Sequence, residues 1–513
     1  MAHLFRGGRI LGGSSPALTS MVVDDGRIAW FGSDDEAAGL SLNGAAVTEL
    51  EGALVTPGFV DSHVHATSTG LTLLGLDLSG ARSAADILDA VAREADCYPH
   101  SLILGHGWDE SVWQVRRLPT AEELSRASSD ARVYLTRVDA HSALVSSALI
   151  SAAAHSREER GFSESGWVTQ EAHHALREHA LGTLSSSETA RAQDAFLIRA
   201  LECGLVGVHE MAGPMISSEV DCAALIATAG SRPSPLVTVY WGELAQSGGI
   251  ETSRRIGASG CGGDLFVDGS LGSHTACMHQ PYLDAPASSG REYIERESLI
   301  EHVHRCVEAD VQTGFHAIGD AATQAVMAAY SAAASVYGRD RVASQRHRIE
   351  HAEALCEADI HECARLGIIA SMQPVFDARW GGKAGMYSER LGWDRAKLLN
   401  PLGDLHRSGV NIAFGSDAPV TPLDPWGAVR AAMNHQSPAQ RVTLSTAVDA
   451  HTRAGWHAAG VDDAGRLEVG AAAHLAIWAA STPEGIPGAG STALRTIVSG
   501  ECVFDSGQLQ DCA

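Results

Sequence analysis

The chain has 513 residues, of which 45% are hydrophobic, and a formal net charge of −25. This length exceeds that of one ordinary domain, and the apolar fraction is enough for a large core. The acidity and the lack of a sustained Lys/Arg run exclude the usual signature of a nucleic-acid-binding protein. No stretch approaches the roughly 20 apolar residues that span a bilayer. We therefore expect a small-molecule substrate as the partner, with no nucleic acid and no membrane.

The opening segment and the cysteines indicate the compartment. The segment MAHLFRGGRILGG contains two arginines and no apolar core, which is not typical of a secretory signal. Ten cysteines are scattered along the chain without a CxxC pair, as is typical of reduced and mostly buried thiols. These features favour a cytoplasmic protein without a cysteine metal site.

Both ends of the chain are predicted to be rich in β-strands. Apolar residues at 21–23 and 28–31 flank the turn Asp24-Asp25-Gly26, which predicts a hairpin. Near the other end, HLAIWAA is followed by TALRTIVSGECVFDSG, again with a strand–turn–strand pattern. Because chain termini often lie close together, we predict one small β-sandwich domain formed by residues 1–56 and 466–513.

Residues 57–465 alternate short apolar runs with helical patterns. Strands are predicted in segments such as GLVGVHEM, GDLFVDGS, QTGFHAIGD and HRIEHAE, and a helix in TQAVMAAYSAAASVYG. Repeated strand–helix units are typical of a parallel α/β sheet. The strands outnumber the eight of a barrel, and we assign the surplus to an insertion at about residues 70–200, after the first barrel strand.

The segment LVTPGFVDSHVHA carries the clearest chemical signal. Its apolar strand ends at His63 and His65, and alternate side chains of a strand share a face. Two imidazoles on one face can hold a divalent ion. The alternative is a strand that contains two histidines by chance.

Three later strand ends support the metal interpretation. FHAIGD, HRIEH and IAFGSD place His316, His351 and Asp417 where predicted strands finish. The carboxyl ends of parallel barrel strands converge on one site. The sequence therefore predicts a metal site with these three side chains and the pair at 63 and 65.

These motifs, together with PGFVDSHVHA, GHGWDES, YLTRVDAHSAL, DGSLGSHTA, SMQP and FGSDAPVTPLDPW, resemble the amidohydrolase superfamily. Within it, the similarity is to the group of N-substituted formamide deformylase, and it covers nearly the whole chain. The resemblance implies a (β/α)8 TIM barrel with a β-sandwich built from both ends. It also implies the same ligands, with His63 and His65 on the first strand, His316 on the fifth, His351 on the sixth and Asp417 on the eighth.

One position departs from the pattern that the resemblance implies. Two-metal members bridge their ions with a carboxylated lysine on the fourth strand, four residues before the Asp of DGSLGS; counting back from Asp268 gives Asp264. Three interpretations follow. Asp264 bridges two ions itself, although its side chain is shorter; or one ion is bound and Asp264 lies outside its ligand shell; or Asp264 only caps a loop.

The ligand types suit one or two divalent ions, with zinc as the first expectation. Asp417 is the candidate general base, because a carboxylate beside the metal can take a proton from water and deliver it to a leaving nitrogen. A histidine near the substrate can stabilise an oxyanion, and His141 and His274 are the candidates. Further substrate-binding candidates follow predicted strands or lie in the quoted motifs: Trp108, Asp109, Asp268, Gln373 and Trp380. For each of these five, the alternative is packing or capping.

The predicted function is metal-dependent hydrolysis, through a metal-activated water, of a carbon–nitrogen bond other than a peptide bond. The substrate class is an amide, formamide, carbamate or cyclic amide of a small molecule. A non-hydrolytic isomerase or decarboxylase on the same barrel, or a catalytically silent binding protein, is the alternative. A homodimer is the default expectation for a soluble enzyme.

Overall fold

The computed structural model describes residues 2–11, 18–40, 44–98, 102–138, 142–479 and 485–512. Within these ranges, none of the helices is both long enough and apolar enough to cross a bilayer. The chain divides into two compact units. Unit 1 contains residues 1–65 and 197–513, and unit 2 contains residues 66–196.

Two four-stranded parallel sheets form the centre of unit 1. In spatial order, the strands of the first sheet are Gly260–Cys261, Leu236–Trp241, Leu205–Ala212 and Phe59–Val64. Those of the second sheet are Gly314–Ala317, Arg348–His351, Ile369–Met372 and Ile412–Phe414. Most of these strands are buried along their whole length, as parallel strands covered on both faces require.

Isolated bridges connect the outer strands of these two sheets. Val64 pairs in parallel with Ala418 at one pair of edges, and Gly260 pairs with Gln312 at the other. A further parallel bridge joins Phe266 to His316. Each sheet therefore continues into the other at both edges.

Helices follow most of the parallel strands. Those of unit 1 are Asp34–Ala37, Glu219–Gly230, Gly249–Ile256, Arg296–Glu308, Asp320–Tyr337, Arg339–Ser344, Glu357–Leu366, Pro374–Trp380, Met386–Leu391, Trp393–Ala396, Leu402–Arg407, Pro425–Met433, Leu444–Ala450 and Arg453–Ala458. The helix predicted in TQAVMAAYSAAASVYG is confirmed, because the helix Asp320–Tyr337 contains all of this segment except its final glycine.

Two five-stranded sheets are built from both ends of the chain. In spatial order, one contains Gln510–Cys512, Ala46–Glu49, His3–Arg6, Ser20–Asp24 and Arg27–Gly32. The other contains Arg9–Ile10, Leu54–Pro57, Leu475–Trp478, Arg495–Val498 and Glu501–Asp505. One buried cluster joins side chains of both sheets, among them Phe5, Met21, Val55, Ile477 and Ile497.

The predicted N-terminal hairpin is confirmed. Its strands pair antiparallel around Asp25 and Gly26, which have φ values of 48° and 71°. Positive φ at both central residues is the geometry of a two-residue turn that matches the twist of a hairpin.

Unit 2 has a mixed sheet of its own. Its strands, in spatial order, are Trp167–Thr169, Ser142–Val145, Val133–Arg137, Ile103–Trp108 and Leu76–Asp77. Its helices are Ala66–Leu74, Ala84–Cys97, Ala121–Ala127, Ser147–Ala152, Gln170–Gly182 and Ser186–Glu202, the last of which begins in this unit.

The strand predicted in GDLFVDGS is wrong. The strand at this place in the chain is Gly260–Cys261, and residues 264–267 have no strand beyond one bridge. The reason is local, because Gly262 and Gly263 have φ values of 146° and 84°, which an extended strand does not contain.

Candidate metal centre

The first two histidines sit at the end of a fully buried strand. His63 belongs to Phe59–Val64 and His65 follows it directly. Their ring centroids are 5.4 Å apart, as expected for alternate residues on one face of a strand. His63 Nε2 is buried and has no hydrogen-bond partner, so this nitrogen lone pair is available to a bound cation.

In all four predicted histidine ligands, one ring nitrogen is bound by a hydrogen-bond acceptor. The pairs are His63 Nδ1 with Glu350 Oε2 (2.9 Å), His65 Nδ1 with Met211 O (3.0 Å), His351 Nδ1 with Gln373 Oε1 (2.9 Å) and His316 Nε2 with Gly269 O (3.2 Å). Because these oxygens only accept, the bound nitrogen carries the proton and donates it. The other nitrogen of each ring points into the cluster, as for His316 Nδ1, 2.9 Å from Asp264 Oδ1, and His65 Nε2, 3.2 Å from Asp417 Oδ1. An acceptor behind the ring is how proteins orient histidine for a metal.

Asp417 faces the first pair of histidines. It lies three residues beyond the strand Ile412–Phe414, and its main-chain N–H donates to His63 O at 2.8 Å. Its Oδ1 is 3.2 Å from His65 Nε2 and 3.5 Å from His63 Nε2. Residues from strands at two sheet edges therefore meet in one cluster.

Asp264 lies between the two pairs of histidines. Its Oδ2 is 3.5 Å from His65 Nε2 and 3.9 Å from His63 Nε2. Its Oδ1 is 2.9 Å from His316 Nδ1 and 3.5 Å from His351 Nε2. All six residues predicted to bind metal are thus brought together, and His63 takes part in two separate groups of potential ligands, with Asp264 and His351 and with His65 and Asp417.

The electrostatics of this cluster favour positive charge. Burial raises the pKa of Asp264, but the hydrogen bond and charge of His316 outweigh burial and hold the pKa well below its ordinary value. Burial lowers the pKa of His351, but Asp264 and Asp417 outweigh it and raise that pKa to about 10. The pKa of His65 is raised to about 9, again because Asp417 outweighs burial. Two buried carboxylates therefore require compensating cations.

A buried ion pair of Arg348 and Glu350 is hydrogen-bonded to His63 Nδ1, the ring nitrogen that faces away from the cluster. Glu350 accepts hydrogen bonds from His63 and from the Arg348 guanidinium. All three side chains are fully buried. Arg348 also donates to Ser62 O at 2.6 Å, and its guanidinium lies 4.6 Å from the Tyr240 ring. Burial raises the pKa of Glu350, but Arg348 outweighs it and lowers that pKa to about 2. Glu350 is therefore an ionised acceptor for His63.

Three residues predicted to contact substrate have other partners in the structure. Trp108 is fully buried in the core of unit 2, and its Nε1–H donates to Leu135 O at 2.9 Å. Asp268 is fully buried and accepts hydrogen bonds from the main-chain N–H groups of three residues: Cys277, Ile318 and Gly319. Gln373 is 1% exposed and holds His351. Packing, loop anchoring and orientation of His351 are the roles that the structure gives these three side chains, and their contact with a substrate stays a prediction.

The remaining candidates stay predictions. His141 lies outside the described residues, and Asp109, in unit 2, accepts a hydrogen bond from Arg137 at 2.9 Å. His274 is partly exposed, and its Nε2 lies 3.0 Å from Asp284 Oδ1. Trp380 is the best placed, because its ring packs 4.8 Å from Phe376, which stacks 6.0 Å from His351.

A second cluster, Cys261, His302 and Cys306, has the residue types of a metal site. His302 Nδ1 accepts from Ala245 N–H at 2.9 Å, so its Nε2 carries the proton and donates to Thr313 Oγ1 at 2.6 Å. With both nitrogens engaged, this histidine has no lone pair for a metal. The two cysteines of the cluster belong to a small apolar core.

Comparison with known proteins decides the family. The model of the amidohydrolase family matches residues 46–504. The chain belongs to the amidohydrolase family. It is 29% identical to a Bacillus subtilis (strain 168) protein named as an amidohydrolase, YtcJ, over 82% of this chain and 80% of that one. It is 24% identical to N-substituted formamide deformylase of Arthrobacter pascens, with 89% of each chain covered.

A solved structure shows the same relationship. The crystal structure of an uncharacterized metal-dependent hydrolase from Pyrococcus furiosus is similar with a TM-score of 0.76 and 25% identity. The match covers 93% of this chain and 98% of that chain. This amidohydrolase is therefore an α/β enzyme that hydrolyses carbon–nitrogen bonds.

Proposed function

We propose that this amidohydrolase cleaves an amide, formamide, carbamate or cyclic amide of a small molecule, at a metal centre formed by His63, His65, His316, His351 and Asp417, with Asp264 as a further ligand. The observation that carries the proposal is the convergence of these side chains, with the far nitrogen of every histidine already bound. The buried, unpartnered His63 Nε2 fits a cation ligand. Nitrogen and oxygen ligands favour zinc as that cation.

A divalent ion held there would lower the pKa of a water molecule and polarise a substrate carbonyl. Asp417 has the position to accept the proton of the attacking water, because its Oδ1 faces His63 and His65. Its pKa is lowered, because the neighbouring histidines outweigh burial, so it is ionised at neutral pH. The same carboxyl group then delivers the proton to the leaving nitrogen.

The fold proposed for this chemistry is a (β/α)8 barrel. The two four-stranded parallel sheets, with bridges at both edges, support a ring of eight strands. Ligands at or just beyond strand ends are typical of such barrels. The proposed domains are a β-sandwich of residues 1–56 and 466–513 and a barrel of residues 57–465, with an insertion at about 70–200. The shared core of the two terminal sheets supports the sandwich.

The test uses metal-free and reloaded enzyme. Protein stripped by a chelator is reloaded with zinc, manganese or cobalt and assayed on N-substituted formamides, simple amides, carbamates and cyclic amides in ¹⁸O-labelled water. We expect an amine and a labelled acid from at least one substrate, only with the metal-loaded protein. A product of the same mass as the substrate would indicate an isomerase, and loss of CO₂ from an amide whose carbon–nitrogen bond stays intact would indicate a decarboxylase. No turnover of any class by the loaded protein would contradict the proposal.

A further inference from the structure

The position of Asp264 bears on how many ions the centre holds. Its two carboxylate oxygens point to different ligands: Oδ2 faces His63 and His65, whereas Oδ1 faces His316 and His351. We propose that the Asp264 carboxylate bridges two divalent ions directly, an inference that rests on the proposed function. In this chain, aspartate thus takes the place of the carboxylated lysine that the family resemblance leads one to expect.

The distances fit this division. Ligands bonded at 2.0–2.2 Å to one tetrahedral ion lie about 3.4 Å from each other. Asp264 Oδ2 is 3.5 Å from His65 Nε2, and Asp417 Oδ1 is 3.2 Å from the same nitrogen. On the other side, Asp264 Oδ1 is 3.5 Å from His351 Nε2. Asp264 Oδ1 is 2.9 Å from His316 Nδ1, a hydrogen-bond distance, and Oδ2 is 3.9 Å from His63 Nε2. Each oxygen therefore has co-ligand spacing to one histidine of its pair, and the contact with His316 would lengthen by about 0.5 Å around an ion.

The second side has ligands of its own. His316 Nε2 donates to Gly269 O, which leaves Nδ1 as the nitrogen that faces Asp264. His351 Nδ1 donates to Gln373, which leaves Nε2 as the inward nitrogen. One ion beside His63 and His65 would not need either of these rings, although both are prepared in the same way.

The main chain explains how a short side chain reaches the centre. Gly262 has a φ of 146°, and a Cβ built on it would lie 2.3 Å from Gly314 N. Gly263 has a φ of 84°, and its Cβ would lie 2.7 Å from Met211 Sδ. Gly262 thus lets the segment before Asp264 pack directly against the strand that carries His316, and Gly263 lets it pass close to the side chain of Met211.

No lysine is placed to serve instead. The two lysines of the chain are Lys383 and Lys397. Lys397 pairs with exposed Asp394 at 2.7 Å, and Lys383 lies 5.8 Å from the Trp393 ring centroid. Neither belongs to a parallel strand. Filling of the proposed centre therefore needs no CO₂, whereas a carboxylated lysine forms from it.

The test measures metal binding rather than turnover. Metal-free parent protein is titrated with manganese in CO₂-depleted buffer, and bound metal is counted by elemental analysis while electron paramagnetic resonance detects coupled ion pairs. We expect two ions per chain with a coupled spectrum, unchanged by added bicarbonate. Asp264→Asn, which keeps the shape but cannot bridge two cations, should bind one ion with an uncoupled spectrum. Asp394→Asn, an exposed carboxylate, is the matched control and should behave as the parent.

The ion count and the spectrum together decide whether Asp264 bridges two ions. One ion in the parent, two ions only after bicarbonate is added, or a coupled pair that persists in Asp264→Asn would overturn the bridge. Circular dichroism identifies an unfolded variant, in which case the parent's stoichiometry and spectrum decide alone. One bound ion together with hydrolysis of a carbon–nitrogen bond would contradict the bridging role of Asp264 and leave the proposed function intact. A coupled ion pair without hydrolysis would support the bridge and contradict the proposed function.

Discussion

At the scale of single residues, the centre depends on what binds the far side of each imidazole. His63 is held by Glu350, and Glu350 by Arg348, in a chain of fully buried polar groups. A buried charge that loses its partner is strongly destabilising, whereas replacement of the whole pair is often tolerated. Stability and metal affinity therefore depend on the same two residues in different ways.

Substitution of Glu350 should separate these effects. Glu350→Gln leaves the Arg348 guanidinium buried without a counter-charge, and we expect a loss of about 3–5 kcal/mol in the free energy of unfolding. Zinc affinity should fall about 10–100-fold, because the acceptor of His63 is weakened. The double variant Arg348→Met/Glu350→Gln should recover much of the stability but little of the affinity. Recovery of both together would mean that Glu350 acts only through folding.

Substitution of Asp417 tests the proposed base. Asp417→Asn should lower kcat by about 10²–10⁴-fold, the usual contribution of a positioned acid–base group. Metal content should fall less than in His63→Ala, because histidine ligands remain on both sides of the centre. Steady-state kinetics on fully metal-loaded protein, with bound metal counted in the same sample, gives the answer. A kcat within a few-fold of the parent would assign the proton transfer to another group.

At the scale of elements, one short segment controls the position of Asp264. Gly262 and Gly263 end the strand Gly260–Cys261 early and press the chain against Gly314. This irregular segment stands where the sequence pattern predicts an ordinary strand.

Gly262→Ala should therefore disturb the centre. Its Cβ would lie 2.3 Å from Gly314 N, and the backbone of both strands would have to shift. We expect a loss of more than about 2 kcal/mol in urea unfolding, together with weaker metal binding. Gly257→Ala is the control: its φ is also positive, at 75°, but a Cβ there meets nothing within 4 Å. It should cost about 1 kcal/mol and leave metal binding unchanged. Equal effects of the two variants would show that φ alone matters.

Residues of the site can be predicted from the sequence where the signal is local, and not where it depends on contacts between distant segments. The ligands His63, His316, His351 and Asp417 could be found because each lies near or just beyond the end of a strand whose pattern is local. The partners of these ligands, such as Glu350 and Gln373, come from other strands, and no spacing within the chain reveals such contacts. Trp108 has the features of a pocket residue in sequence, but the sheet of unit 2 buries it.

At the scale of the whole molecule, buried neutral histidines set the response to acid. Burial lowers the pKa of His302, His451 and His474 to about 4, and that of His347 to about 3. In the unfolded chain these groups titrate near 6.5. Between pH 6.5 and 4 the unfolded state therefore binds more protons, so stability is present above this window and is lost as the pH falls through it.

We expect a loss of stability in this window, partly offset by Asp61 and Glu353. Burial raises the pKa of both carboxyl groups to about 7, so they hold protons in the folded state that the unfolded chain has released. Each such histidine contributes a slope of up to about 1.4 kcal/mol per pH unit. His65 and His351 contribute little to the slope, because their raised pKa values keep them protonated in the folded, metal-free protein. Urea unfolding of metal-free protein from pH 4.5 to 7 measures the slope. His347→Gln should reduce the slope by up to about 1.4 kcal/mol per pH unit, which is the contribution of one proton. An unchanged slope would mean that His347 is already protonated in the folded state.

The central claim is that the histidine–aspartate cluster is a metal centre, and X-ray absorption at the zinc edge of reloaded protein tests it most directly. We predict stoichiometric zinc with imidazole nitrogen and carboxylate oxygen at about 2.0–2.2 Å and no sulfur. A sulfur shell at about 2.3 Å would place the ion at Cys261 and Cys306 instead, and failure to bind zinc at all would likewise contradict the account.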